Sequence, residues 1–183
     1  MRLTTHRGAG FTLIEALVAI SLAAILTVLA LPGLTTFLTN TNIRSAAEPI
    51  QEGVRRAQVE AVKQNTQIEF LLDPLVGWQI VDPNADDPKT KVPPKVIDAV
   101  VFAEGSNRAV VTVTPALSTG VTFSGLGRAL TKNGDGTDPL TQIDVTTTVS
   151  GPHHDLRVVI AGTGGIKMCD PALPVDDPKG CPP

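Results

Sequence analysis

Tyrosine is absent, tryptophan occurs once, and aromatic residues make up 3% of the 183-residue chain. Binding of unpaired bases relies on stacked rings, so this composition offers few platforms for it. The chain carries 15 basic and 18 acidic residues, a net charge of −3. Such a balance creates no general attraction for polyanions. There are two cysteines, Cys169 and Cys181. They lack Cys-x-x-Cys spacing, which argues against a redox motif or a zinc site. No serine lies in a Gly-x-Ser-x-Gly turn. His153 and His154 are adjacent, and on a strand they would point to opposite faces, poorly placed to share one metal. No cluster of ionisable groups converges in the sequence, so neither an enzyme nor a bound cofactor or metal is expected.

The most informative scarcity is local. From Phe11 to Leu31 the only ionisable residue is Glu15, and Thr12, Ser21 and Thr27 supply the remaining polarity. A helix over this stretch is roughly 31 Å long, about the hydrocarbon thickness of a bilayer. A carboxylate at the centre of such a helix costs about 3 kcal/mol, less near an interface. Glu15 therefore predicts a function and needs a cationic partner. The first ten residues contain Arg2, His6 and Arg7 but no acid. This bias keeps the N-terminus cytoplasmic and exports the chain beyond the apolar run. An ordinary secretory signal cleaved after Ala30 fits poorly, because a glutamate falls within its apolar region. A plain signal anchor gives Glu15 no task.

Leu31-Pro32-Gly33 closes the apolar run, where a kink or local melting is expected rather than a stop. Beyond it, Ile43, Ala47, Ile50, Val54, Ala57 and Ala61 recur at alternating spacings of four and three. This is one apolar helical stripe, with Arg44, Glu48, Gln51, Glu52, Arg55 and Arg56 on the other side. The stripe is too short and alanine-rich for a coiled-coil seam. It is expected to lie on a sheet of its own domain. Pro49 and Gly53 weaken the helix locally, and Asn65 marks its end.

From Thr66 the texture turns to strands, predicted over 66–72, 78–81, 96–103, 109–114, 120–123, 141–149 and 156–160. The proline-rich stretch 82–95 reads as a loop and 132–139 as an exposed turn. One long helix followed by many short strands predicts an α+β fold with an antiparallel, β-rich domain. Two turns, beginning at Asp82 and Asn133, echo half of a calcium loop. Asp87 and Asp138 replace the glycine at the sixth position, and although Asp144 stands twelfth in the second loop, solvated turns are expected. Residues 169–183 hold five prolines and read as a loop. An even cysteine count in an exported domain predicts a Cys169–Cys181 disulfide closing that loop. The stabilisation expected for a loop of this size is roughly 3 kcal/mol.

Gly10-Phe11-Thr12-Leu13-Ile14-Glu15, after a short basic leader, resembles the class III signal of type IV pilins and pseudopilins. The resemblance implies that a prepilin peptidase cuts after Gly10 and methylates the new amine on Phe11. Glu15 becomes the fifth mature residue, implied to face the Phe11 amine of a neighbouring subunit. Pro32 also matches a proline common in pilins. Arg55 to Asn65, Gly77-Trp78, Val121 to Ala129, Leu156 to Ile160 and Gly164 to Cys169 resemble segments of the GspH/FimT family. Its members include FimT/FimU-type minor pilins and minor pseudopilins of type II secretion. The Cys-Asp-Pro…Lys-Gly-Cys loop resembles the pilus group. Some relatives bind DNA through Gly-Arg-x-Arg. The matching positions are Gly164-Gly165-Ile166-Lys167, which leaves Lys167 as one weak contact, and DNA binding is not expected.

The implied organisation is a leader over 1–10, a membrane-spanning helix over 11–31, its amphipathic continuation over 32–65, and a β-rich domain over 66–183. The expected function is that of a minor pilin in the tip or priming complex of a type IV pilus. The alternatives are a minor pseudopilin of the type II secretion system and a filament-displayed DNA-binding subunit. Expected partners are the prepilin peptidase, other minor and major pilins or pseudopilins, and the membrane. The implied location is the bacterial inner membrane, single-pass, with the C-terminal domain periplasmic, and then the filament.

Overall fold

The computed structural model describes residues 12–85, 94–102 and 109–182. The chain divides into two units, Met1–Phe37 and Leu38–Pro183. Helix α1, Leu13–Gln64, contributes to both. It starts at Thr12, whose Oγ1 accepts from the Glu15 backbone N–H at 3.3 Å. In the first unit, Leu13, Ile14, Leu17, Val18, Ile20, Leu22, Ile25, Leu26 and Val28 are all exposed. The Ser21 and Thr27 hydroxyls donate to the Leu17 and Ala23 carbonyls, both at 2.7 Å. Such bonds satisfy a hydroxyl within its own helix, which suits an apolar surrounding. Of the kink or local melting expected at Pro32-Gly33, melting is not seen, because both residues are helical, while the helix is bent where Leu13–Val28 gives way to Gly33–Gln64. Among the described residues no single helix is long and apolar enough to cross a membrane. The segments Leu13–Val28 and Gly33–Gln64 meet the length and composition together.

In the second unit the helix ends at Asn65, which adopts a φ of 50°. Asn65 N–H donates to Val62 O and Thr66 N–H to Ala61 O, both at 3.2 Å. This pair of bonds closes the last turn, and asparagine tolerates the left-handed conformation it requires.

Eight strands follow: β1 (Ile68–Asp73), β2 (Gly77–Asp82), β3 (Lys95–Val101), β4 (Ala109–Thr114), β5 (Gly120–Phe123), β6 (Gln142–Thr147), β7 (Leu156–Ile160) and β8 (Ile166–Cys169). A short 3-10 turn, Pro83–Ala85, follows β2. The stretch expected as a loop over 82–95 therefore lends its two end residues to strands, and the strand expected over 141–149 is shorter. Instead of one sheet there are two, ordered β3-β2-β1-β5 and β4-β6-β7-β8, with antiparallel pairing throughout.

Both sheets and the helix stripe share one core. Ile43, Ala47, Ile50, Val54, Ala57 and Ala61 are fully buried. Alternation along β1 turns Ile68, Phe70 and Leu72 inward, and Ile143, Val145, Val158 and Ile160 come from the second sheet. Pro49 and Gly53 are helical after all. Gly53 is the notch where the helix backbone meets Phe70 and Trp78. A Cβ there would lie 2.7 Å from the Trp78 ring and 2.8 Å from the Phe70 ring. The two rings contact each other at 5.8 Å between centroids.

The turn expected to be exposed at 132–139 contains a buried residue, Asn133. Its Oδ1 accepts from Thr122 N–H at 3.0 Å and Thr122 Oγ1 at 3.2 Å. Its Nδ2 donates to Gly120 O at 3.0 Å, so the side chain covers the free edge of β5. Asn133→Ala takes the acceptor from Thr122 N–H, while Gly120 O keeps the Leu140 N–H at 2.8 Å. It should lower stability by about 1–3 kcal/mol, read by denaturant unfolding of the detergent-solubilised chain.

Candidate assembly surface

Glu15 sits at the third helical position after the Thr12 cap, a Thr-x-x-Glu arrangement. This capping pattern is written in the sequence as Thr12-Leu13-Ile14-Glu15. The backbone amides and partial positive charge of a helix N-terminus favour a carboxylate in the first turn. Glu15 is nevertheless exposed, and its carboxylate has no hydrogen-bond or ionic partner among the described residues. The exposed apolar helix thus presents one preorganised, unpaired acid. Gly10 and Phe11, the predicted processing residues, lie outside the described residues.

The opposite end of the chain forms a stapled loop. Cys169 and Cys181 are bonded, with Cα atoms 4.9 Å apart. Asp170 N–H donates to Lys179 O at 2.8 Å, and Lys167 Nζ donates to Gly180 O at 2.8 Å. The predicted weak DNA contact therefore has a partner inside the disulfide loop, although Lys167 remains exposed. Asp170 is buried and accepts from Ala172 N–H at 2.9 Å, with His154 Nδ1 at 3.0 Å. His154 N–H in turn donates to Asn40 Oδ1 of α1 at 2.9 Å. His153 turns instead to Gly151 O at 2.8 Å and Asp155 at 3.4 Å. The two histidines are in a loop rather than on a strand, and separate partners take them up.

Gln58 is a clamp that sequence reasoning missed. Its Nε2 donates to Gly127 O and Gly164 O, both at 2.7 Å. This ties the turns after β5 and β7 to the helix. Gly164 has a φ of +96°, and a Cβ there would run into the Gly127 carbonyl. Gly165 is open by contrast, its nearest neighbour being Ala161 Cβ at 3.7 Å. Only a half-buried glutamine on the helix flank hints at the clamp, and spacing cannot tell it from a solvated one.

The two calcium-like turns use their oxygens internally. Asp135 Oδ1 accepts from Thr137 N–H at 2.9 Å and Thr137 Oγ1 at 2.6 Å, and these bonds hold its carboxyl below the usual range. Asp82 Oδ1 accepts from Asn84 N–H at 2.9 Å, while Asp86 and Asp87 lie outside the described residues. Among the described residues no group of three His, Cys, Asp or Glu side chains is placed to hold a metal.

Glu69 is half-buried on β1. Burial, with a smaller contribution from the Asp135 charge, raises its pKa. The folded state therefore holds this proton more tightly than the unfolded chain. Stability gained from that is full below the ordinary glutamate range and is lost as pH rises through the raised value. Glu69→Gln should raise the melting temperature at pH 7, and the advantage should vanish below about pH 4. A melting series across that window checks it. An advantage that grows on acidification would contradict the assignment.

Comparison with known proteins gives two family matches. The family described as "Type II transport protein GspH" matches residues 46–164, more than half of the chain. The "Prokaryotic N-terminal methylation motif" matches residues 5–31. Among solved structures, the Pseudomonas aeruginosa type IV minor pilin FimU is similar in two crystal forms. One aligns at 17% identity and a TM-score of 0.49, covering 79% of this chain and 98% of that one. The other aligns at 16% identity and 0.48, covering 75% and 98%. No match was found among curated proteins.

Proposed function

The chain belongs to the GspH family of type II transport proteins, and from that premise we propose that it is a minor pilin subunit of a type IV pilus. A prepilin peptidase removes residues 1–10 and methylates the amine of Phe11. The apolar part of α1 then holds the subunit in the inner membrane, with Leu38–Pro183 on the periplasmic side, until it joins other pilins in a tip or priming complex. Its contribution is structural.

The observation that carries this reading is the unpaired carboxylate of Glu15 on an exposed apolar helix. A charge in such a setting requires an opposite charge, and leader cleavage creates one on every mature subunit. The methylation motif over residues 5–31 supports the same processing. The stapled C-terminal loop favours the pilus over the secretion machine, since a loop of this kind resembles the pilus group.

Deleting the gene and counting surface pili alongside type II substrates in the medium tests the assignment. Loss of pili with normal secretion, restored by the wild-type gene, is the expected result. Loss of secretion with normal piliation would instead make the chain a minor pseudopilin. Normal levels of both would end the assembly reading.

A further inference from the structure

A sheet edge is a row of unpaired backbone N–H and C=O groups, and folded proteins cover such rows or blunt them with charge and bulges. The two sheets of the second unit have four edges, β3, β5, β4 and β8. Three of them are managed. On β3, Lys95 and Asp98 supply charge, and Asp98 pairs with Arg56 of α1 at 2.7 Å. Its pairing with β2 steps from Ile80–Asp98 to Val81–Val96, so Ile97 is left over in a bulge. The edge of β5 is covered by Asn133, by Leu130 N–H on Thr122 O at 2.9 Å and by Leu140 N–H on Gly120 O at 2.8 Å. The edge of β8 is covered by α1, where the Gln51 side-chain carbonyl accepts from Met168 N–H at 3.2 Å, and by the bridge from Asp170 to Gly180.

The edge of β4 is left open. Ile160 N–H donates to Thr141 O at 2.8 Å, which turns the backbone groups of Thr141, Ile143 and Val145 toward β7 and leaves those of Gln142, Asp144 and Thr146 for β4. The register partners of these three are Thr114, Thr112 and Val110. Ala109, Val111 and Val113 therefore aim their N–H and C=O groups away from β6. Among the described residues these groups make no hydrogen bond. The side chains of the same three residues pack on the core and hold the backbone in place. Pairing from Ala109 to Thr114 runs without a bulge. The strand reads Ala-Val-Val-Thr-Val-Thr, with no charge, proline or glycine to blunt it. Its open row is about 20 Å long.

We propose that this edge docks an extended, uncharged strand of a different subunit of the assembly, which adds to the second sheet beside β4. The open groups select the occupant. Donors and acceptors at strand spacing are satisfied by another extended backbone and not by a helix, whose own groups are already paired. Val110, Thr112 and Thr114 point to the other face, where β-branched or aromatic residues opposite them pair best. The nearest charges, Asp144 and Arg157, are committed to each other at 2.6 Å. A charge on the incoming strand would therefore lose water without gaining a partner. The inference deepens the proposed function by naming a contact surface, and it rests on that function. A minor subunit has mostly unlike neighbours, so the strand comes from a different chain.

Both tests use the full-length chain. In detergent, amide exchange followed by NMR should be on the order of a hundredfold faster at Val111 and Val113 than at Val110 and Thr112. Equal protection would mean that the chain covers its own edge, and would overturn the proposal. In cells, a benzophenone amino acid placed at the exposed Thr112 should crosslink to another pilin-like subunit, with the adduct mapping to an extended, uncharged segment of it. Val111→Pro removes an N–H that has no partner in the isolated chain. The melting temperature should therefore stay within a few degrees of wild type, while the adduct falls on the order of tenfold or more. Should that proline disturb the fold, Thr114→Lys charges the same edge from an exposed position and should lower the adduct severalfold. No adduct, an adduct on a helix or on a second copy of this chain, or one indifferent to both variants would overturn the contact. An adduct on a strand of a secretion subunit would support the contact, while the deletion experiment would separately reassign the machine.

Discussion

Glu15→Gln should leave the chain in the membrane but all but abolish its incorporation into filaments. The amide keeps the shape of the side chain and can still serve in a Thr-x-x-Gln capping arrangement, so helix initiation is preserved. Membrane residence should be unchanged or improved, because a charge costing about 3 kcal/mol at mid-bilayer has been removed. Assembly suffers for the opposite reason. In the proposed assembly, loss of the carboxylate leaves the Phe11 amine of the neighbour buried with no counter-charge. Breaking one side of a buried pair costs about 3–5 kcal/mol, two orders of magnitude or more in an assembly equilibrium. The measurement is the ratio of chain in sheared filaments to chain in the membrane fraction, by immunoblot. Thr12→Ala is the control. It removes the cap, costs about 1 kcal/mol, and should lower that ratio far less. Wild-type incorporation of Glu15→Gln would remove the charge from the mechanism. Equal defects in Glu15→Gln and Thr12→Ala would reduce Glu15 to a helix-starting residue.

Gly53→Leu should destabilise the second unit by about 3 kcal/mol or more. Helix propensity alone predicts the reverse, since leucine is a better helix former than glycine by almost 1 kcal/mol. Packing decides the sign. Gly53 is buried, and the first added carbon would already meet the Trp78 ring at 2.7 Å and the Phe70 ring at 2.8 Å. Neither ring is a flexible tip, because Phe70 and Trp78 pack on each other within the shared core. Thermal unfolding of the detergent-solubilised full chain should show a drop of several degrees. Phe70→Ala added to Gly53→Leu should cost less than the sum of the two changes, because the removed ring makes room. A melting temperature equal to or above wild type would show that the notch is not a packing constraint.

Much of the architecture could be read locally. The six stripe residues from Ile43 to Ala61 repeat with the helical period, and all six are buried. Asn65 is the helix stop because asparagine accepts the positive φ that the closing turn needs. Strands β4, β5 and β7 fall at the boundaries expected from alternation and turn residues. The weaker readings failed where tertiary contact overrides local preference. Gly53 looks like a helix fault but is a contact with two rings. Asn133 looks like a solvated turn residue but covers a strand edge eleven residues away. Pro49 lies in helix because a lost N–H is tolerated when neighbouring bonds persist.

For the candidate site the division is similar. Glu15, the basic leader and the Cys169–Cys181 pair stand out by type and spacing, and the structure contains the disulfide. The role of Lys167 was not legible, because its partner Gly180 belongs to a loop with no periodic pattern.

By itself, the sequence determined the processing signal, the long helix with one acid, its buried stripe, the antiparallel strands and the closed C-terminal loop. These rest on covalent order, side-chain period and turn chemistry, all of which act over a few residues. Only the tertiary structure decided that the strands form two sheets on one helix, that Gly53 is a notch, and that Gln58 clamps turns 69 and 106 residues away. Contacts across such separations are set by which surfaces meet when the core closes, and no local pattern encodes that meeting.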